Sequence, residues 1–303
     1  MLAVDATSYR AIRERSAADA DRIAHTIRRI VAECGKLQNP WTGSGGVLMG
    51  RVTKVGQAYR AADLQAGERV MPLASLIAVP LRLSSVGPVD PASPHVPVSG
   101  RAIVTPRMAC ARVPEDLPTA VAVSAFDVFP AASHVRELAE PGMRVLVLGV
   151  GHAGLLALAA TREAIGGEGH AVAVDRASVA LKRAKAVDPS ATVVEADVTD
   201  TAETIRALAE LDVPPADLTL LCTTVPGAEG TAIVATADRG TILFFSTATS
   251  FAAAALGADA VGSHARLLIP NGLTDDRGEY AFELLRRHSA LRAVFERSAD
   301  DER

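Results

Sequence analysis

A five-residue run, Arg144-Val145-Leu146-Val147-Leu148, leads directly into Gly149-Val150-Gly151-His152-Ala153-Gly154, and helical periodicity resumes at Gly154. No other stretch of the 303 residues restricts the fold as tightly. Three glycines at this spacing, between a strand and a helix, have separate tasks. The first permits a tight turn, the second leaves bare backbone, and the third lets the helix close on the strand. The same rhythm continues downstream. Short apolar runs at 144–150, 171–175, 192–196, 218–223, 241–246 and 267–269 read as parallel strands covered on both faces. Helical segments at 154–165, 178–187 and 201–211 lie between them. Repeated β-α units of this kind predict an α/β fold, a doubly wound Rossmann sheet with right-handed crossovers.

The first part of the chain has a different texture. Residues 11–34 read as one helix with Ile12, Ile23, Ile27, Ile30 and Val31 on one face, stopped by Gly35. The turn formers Asn39-Pro40-Trp41-Thr42-Gly43-Ser44-Gly45-Gly46 follow, then a strand over 47–56 and a second turn and strand at 67–73. Prolines recur from Pro72 to Pro118, which marks an irregular β domain. A helix is expected over 120–138, and a last amphipathic helix or pair over 279–297. At roughly 150 residues per domain the length suits two domains. The expected division is 1–120 for the β-rich domain, 121–270 for the Rossmann domain, and 271–303 for a helical return packing on the first.

Composition removes several functional classes. The 31 Lys and Arg residues and 35 Asp and Glu residues are spread along the chain, with no basic stripe interleaved with aromatics, so no nucleic-acid partner is expected. No apolar run reaches membrane-spanning length, and Asp5, Arg10 and Arg13 interrupt what would otherwise be a leader. Cys34, Cys110 and Cys222 lie far apart without a CxxC pair, which excludes a disulfide framework and a Cys-rich zinc site. A cytoplasmic protein without a membrane association is the expectation.

The glycine loop points to a dinucleotide. A helix N-terminus there offers free N–H groups and the positive dipole end to a pyrophosphate, with His152 and Ala153 completing the loop between Gly149, Gly151 and Gly154. Asp175 closes the second strand 26 positions after Gly149, the extra length being absorbed by Gly166-Gly167-Glu168-Gly169. A carboxylate there accepts ribose hydroxyls and repels a 2′-phosphate, so NAD is expected rather than NADP, with Arg176 blunting the preference. Ligands bind at the carboxyl ends of such strands. Thr223, Thr224 and Val225 after the fourth strand, and Ser246 and Thr247 after the fifth, are therefore expected around the nicotinamide. Asn271 is placed near the substrate on the same ground. The histidines at 25, 95, 134, 170, 264 and 288 form no HxxxH or HxH pair and read as ordinary structural or surface residues.

A β domain containing Val52-Thr53-Lys54-Val55-Gly56 and Gly67-Glu68-Arg69-Val70, ahead of a dinucleotide fold, resembles the medium-chain dehydrogenase/reductase superfamily. In that superfamily a GroES-like catalytic domain stands beside a Rossmann domain with substrate between them. Within it, the chain is similar to the 3,5-diaminohexanoate dehydrogenase family of lysine degradation. This likeness rests on Gly35-Lys36-Leu37-Gln38-Asn39-Pro40-Trp41-Thr42-Gly43-Ser44-Gly45-Gly46, Leu73-Ala74-Ser75-Leu76 and Pro80-Leu81-Arg82-Leu83. It extends through Phe244-Phe245-Ser246-Thr247-Ala248-Thr249-Ser250-Phe251, Ala255-Leu256-Gly257-Ala258 and Ala290-Leu291-Arg292-Ala293-Val294-Phe295-Glu296. The resemblance implies NAD-dependent oxidative deamination of a diamino acid to an amino-keto acid and ammonia. Asp5 and Gly46-Val47 stand where zinc-dependent relatives keep a Cys and a His-Glu pair, so no metal is expected. Leu2-Ala3-Val4-Asp5 matches an internal strand of the family, which implies an N-terminally abbreviated GroES-like domain.

Amine oxidation without a metal needs a base to take the ammonium proton. Asp127, set in the apolar segment Ser124-Ala125-Phe126-Asp127-Val128 near the domain junction, is one candidate; pairing with an Arg is the other role open to it. Asp5 is a second candidate, and equally a cap at a strand end. Ser44, Gly45 and Gly46 form a turn that either holds a substrate carboxylate by its N–H groups or shapes a hairpin. The apolar late strands at 241–245 and 267–269 suggest a homodimer joined at the sheet edge. Two other readings stay open at this level: a zinc-independent quinone- or enoyl-reductase-like enzyme, and a non-catalytic dinucleotide-binding scaffold.

Overall fold

The computed structural model describes residues 1–59, 64–246, 248–270, 274 and 276–301. The chain divides into two compact units, one of Met1–Asp127 with Phe295–Arg303, the other of Val128–Val294.

In the first unit β1 (Leu2–Ala3) leads to α1 (Ala6–Arg15) and α2 (Ala20–Cys34). The single helix expected over 11–34 is in fact two. Ala17 and Ala18 take positive φ values of 51° and 55°, which no right-handed helix accommodates, and Asp19 restarts the helix by accepting the Arg22 N–H. The stop at Gly35 is as expected, with φ 67° and its N–H returned to the Val31 carbonyl. Ile12, Ile23, Ile27, Ile30 and Val31 are buried together with Leu2, Leu37, Leu48, Leu76 and Val96.

The strands that follow are β2 (Val47–Leu48), β3 (Gly50–Arg51), β4 (Arg69–Pro72), β5 (Leu81–Val86), β6 (His95–Val96), β7 (Val98–Ala102) and β8 (Cys110–Arg112). They form three small antiparallel sheets, ordered β2-β1-β6, β3-β4-β8 and β5-β7. The strand expected over 47–56 ends at Arg51 and changes sheets on the way: Leu48 pairs with Leu2, whereas Gly50 pairs with Val70. Helix α3 (Thr119–Leu138) continues from the first unit into the second.

The second unit contains β9 (Arg144–Leu148), α4 (His152–Ile165), β10 (His170–Asp175), α5 (Ser178–Val187), β11 (Thr192–Glu195), α6 (Thr201–Glu210) and β12 (Ala216–Leu221). Next come α7 (Glu229–Val234), β13 (Thr236–Phe244), α8 (Phe251–Ala260), β14 (Arg266–Leu268), α9 (Glu279–Arg287) and α10 (Ser289–Asp301). All six strands are parallel, in the order β11-β10-β9-β12-β13-β14. This is the doubly wound Rossmann arrangement the β-α rhythm predicts, with the strand order reversing between β9 and β12. Three details differ from expectation. Helices α7 and α8 are not among the segments named from the sequence, and β13 starts at Thr236 rather than at 241, with Arg239 at φ 62° next to a break in register.

Candidate active site

The switch point of the sheet carries the glycine loop. Gly149 sits at φ 89°, and a Cβ there would lie 2.8 Å from the Thr223 backbone on β12's exit. A Cβ on Gly154 would fall 2.0 Å from the Gly149 carbonyl, so only glycine lets α4 close on the loop. Gly151 differs from both. It caps α4, and nothing lies within 4 Å of the place its Cβ would take. Bare backbone facing open space, at the N-terminus of a 14-residue helix, fits a pyrophosphate. His152 and Ala153 are the first residues of that helix.

Asp175 ends β10 as expected, and its carboxylate reaches back to the loop. Oδ2 accepts the Val150 N–H at 3.0 Å and Oδ1 the Ala177 N–H at 2.9 Å, which leaves further lone pairs on each oxygen. Arg176 is exposed and lies near Asp197. Hydrogen bonds from the Thr199 side chain and backbone hold the Asp197 carboxyl below the usual range, with Arg176 adding to the effect. At the strand ends, Thr223 Oγ1 accepts the Val225 N–H at 3.5 Å, Thr224 is exposed, and Ser246 Oγ accepts the Ala248 N–H at 3.1 Å. Thr247 and Asn271 lie outside the described residues. Burial pushes the Cys222 thiol up to about 12, which leaves it inert as a nucleophile at neutral pH.

A second cluster forms within the first unit. Asp5 follows β1 and caps α1: Oδ1 accepts the Ser8 N–H at 2.9 Å and the Ser44 hydroxyl at 3.1 Å. Its other oxygen, Oδ2, is buried with no donor among the described residues. Ser8 Oγ lies 2.7 Å from both Ser44 Oγ and Thr42 Oγ1, closing a small hydroxyl network. Asn39, fully buried, fastens this turn to α1 by donating to the Ser8 carbonyl at 3.1 Å and accepting the Trp41 N–H at 2.9 Å. Gly45 and Gly46 are packed into it: their Cβ positions would fall 2.3 Å from the Leu37 carbonyl and 2.1 Å from the Ala3 carbonyl. Their close packing shapes the turn against β1.

Strand pairing adds a histidine that sequence reasoning set aside. His95 on β6 is the register partner of Ala3 on β1, and its Nε2 lies 3.4 Å from Ser124 Oγ on α3. Ser124 and Asp127 are three residues apart and share a helix face. Val123, Ala125, Phe126 and Phe129 are buried on other sides of α3, whereas Asp127 stands where water reaches it. Protein atoms nevertheless crowd the carboxyl on its remaining sides. That crowding is the main cause that pushes Asp127 up to about 6; the charge of Asp5 adds to the rise, and His95 opposes it.

Among the described residues no group of three or more His, Cys, Asp or Glu side chains is placed to hold a metal ion. Nor is any described helix long and apolar enough to cross a membrane.

A family model described as L-erythro-3,5-diaminohexanoate dehydrogenase N-terminal domain matches residues 1–114. The L-erythro-3,5-diaminohexanoate dehydrogenase of Fusobacterium nucleatum subsp. nucleatum is 34% identical over 297 residues, covering 97% of this chain and 86% of the relative. The chain belongs to the L-erythro-3,5-diaminohexanoate dehydrogenase family. A second relative of that name, from Acetoanaerobium sticklandii, is 32% identical and covers 98% of this chain and 87% of its own. The fold of this chain is shared with solved dehydrogenase structures. The crystal structure of 2R,3R-butanediol dehydrogenase from Bacillus subtilis matches it with a TM-score of 0.52 at 17% identity, over 85% of this chain and 76% of that one.

Proposed function

We propose that this chain is an NAD-dependent dehydrogenase that oxidatively deaminates a diamino acid such as L-erythro-3,5-diaminohexanoate, without zinc. The observation that carries this reading is the 34% identity to a dehydrogenase of that name across 97% of the chain. The net reaction takes an ammonium-bearing carbon, water and oxidised cofactor to a ketone, an ammonium ion, reduced cofactor and a proton. A dinucleotide held by its pyrophosphate at the glycine loop would supply, in its nicotinamide ring, the acceptor for the hydride.

The chain's own residues do the rest. Gly149, Gly151, His152, Ala153 and Gly154 would hold the pyrophosphate, and Asp175 would hold the adenosine ribose with its remaining lone pairs. Thr223, Thr224, Val225 and Ser246 stand at strand ends where ligands of such sheets bind. An ammonium group cannot release hydride until it has lost a proton, and Asp127 takes that proton onto its carboxylate. A carboxyl near 6 accepts it more readily than one near 4 and is still ionised at neutral pH. Ser124, 3.4 Å from His95 and one turn from Asp127, continues the polar face of α3 beside this base. Gly46 and Val47 have no ligating side chains at the places where zinc-dependent relatives have them, which supports a metal-free mechanism. The three free cysteines suit a reducing cytoplasm.

The test is reduced-cofactor absorbance across a panel of β- and δ-amino and diamino acids, with the reverse reaction run on keto acids plus ammonia. The expected outcome is turnover of the diamino acid with NAD in preference to NADP, by a protein that elemental analysis finds free of stoichiometric zinc. Turnover only with NADP would assign the ribose end to Arg176. One zinc per chain, with activity lost to chelators, would end the metal-free mechanism.

A further inference from the structure

The hydrogen bonds of Asp5 leave a remainder that capping does not use. Its Oδ1 takes both the Ser8 N–H and the Ser44 hydroxyl, while Oδ2 is buried and faces no donor among the described residues. An N-cap needs one oxygen, and Ser, Thr or Asn would supply it without a charge. A buried carboxylate oxygen left without a donor is costly unless something cationic or hydrogen-bonding arrives. Asp127 lies close enough for the Asp5 charge to act on it, and no described Lys or Arg ion-pairs with either carboxylate. Two like charges brought together, with His95 as the group that opposes them at Asp127, favour an arriving cation.

Resting on the deamination reading above, we infer that Asp5 is a specificity-determining residue. Its Oδ2 receives the ammonium group that the substrate keeps, while Asp127 receives the one that is oxidised. In a 3,5-diamino acid the two amine-bearing carbons are separated by a single carbon, so the two nitrogens stay near each other in every rotamer. One ammonium carries three donors. Oδ2 takes one of them, and the partly exposed hydroxyls of Thr42 and Ser44 beside Asp5 provide neutral acceptors for the others. The site therefore selects substrates with a second ammonium over otherwise equal monoamines, because the monoamine leaves the Asp5 oxygen unpaired.

Trp41, the single tryptophan of the chain, sits in the same turn between Asn39 and Thr42 and serves as a fluorescence reporter. The experiment titrates full-length protein, without cofactor, with 3,5-diaminohexanoate and with 3-aminohexanoate, checked by calorimetry. The expected result is a preference for the diamino acid of about ten- to a hundredfold, the range of a charged hydrogen bond. That ratio should collapse to about one in Asp5→Asn, whose side-chain oxygen preserves the cap. Asp5→Ser, which also caps, is the second variant should Asn disturb α1. A wild-type ratio near one, or a preference that survives in both variants, overturns the inference. Binding is read without turnover, so the two proposals fail separately. Preferential binding with no cofactor reduction would remove the deamination and keep Asp5's selectivity; cofactor reduction with equal binding would do the opposite.

Discussion

Asp127 shows how a residue's chemistry depends on neighbours that its sequence segment does not contain. Its flanking residues are apolar, yet they turn away into the core, and the groups that act on its charge are Asp5 and His95. Replacing it with Asn should lower turnover by about a hundred- to ten-thousandfold while NADH affinity stays nearly constant, as stopped-flow and titration would show. In the wild type the rate should rise with pH through about 6, as the base ionises. Stability should respond with the opposite sign. The folded carboxyl is raised from 3.8 to about 6, so the folded protein binds the extra proton within that window. The stabilisation this brings is full below the unfolded value and is lost as pH rises through about 6. Asp127→Asn is insensitive to this change, so its melting temperature relative to wild type should climb between pH 4 and pH 8. A relative fall would mean that Asp127 is held by a favourable ion pair.

At the scale of elements, the three glycines of the loop separate binding from folding. Gly151 faces open space, so Gly151→Ala should fold with unchanged thermal stability and bind NADH at least about tenfold more weakly, because its methyl takes the room of the pyrophosphate. Gly154 faces the Gly149 carbonyl, so Gly154→Ala should lose about 1–3 kcal/mol of stability even without cofactor. Calorimetric melting alongside NADH titration checks both; equal effects in the two variants would contradict the assignment. Elements of the first unit were read less well, for an identifiable reason. The break at Ala17-Ala18 carries no glycine or proline, since two alanines were forced to positive φ so that α1 and α2 could each bury their isoleucines. The strand after Gly46 was overextended because the change of sheet between Leu48 and Gly50 depends on partners at Leu2 and Val70.

At the scale of the whole molecule, the parallel sheet ends on β14, whose outer edge pairs with no other strand among the described residues. Of the two late strands, β13 is interior and β14 is the edge; Ile269 just beyond it is exposed, as are Phe251 and Leu256 on α8 and Val261 after it. A second copy of the chain pairing there would cover them. Light scattering at micromolar concentration should give the mass of a dimer, and Leu256→Asp should shift it toward monomer. A wild-type monomer would refute the association.

The sequence by itself determined the doubly wound sheet, the glycine loop and the acid that ends β10, because these follow from local spacing: each strand, turn and helix states its period within a few residues. It also marked Asp5, Ser44 and Asp127, though only as separate candidates. Tertiary structure alone decided that they belong to one cluster. Antiparallel pairing of Ala3 with His95 brings residues some ninety positions apart side by side, and α3 then adds Ser124 and Asp127 from a third segment. Such long-range register is set by which apolar faces bury together, and no spacing along the chain records it.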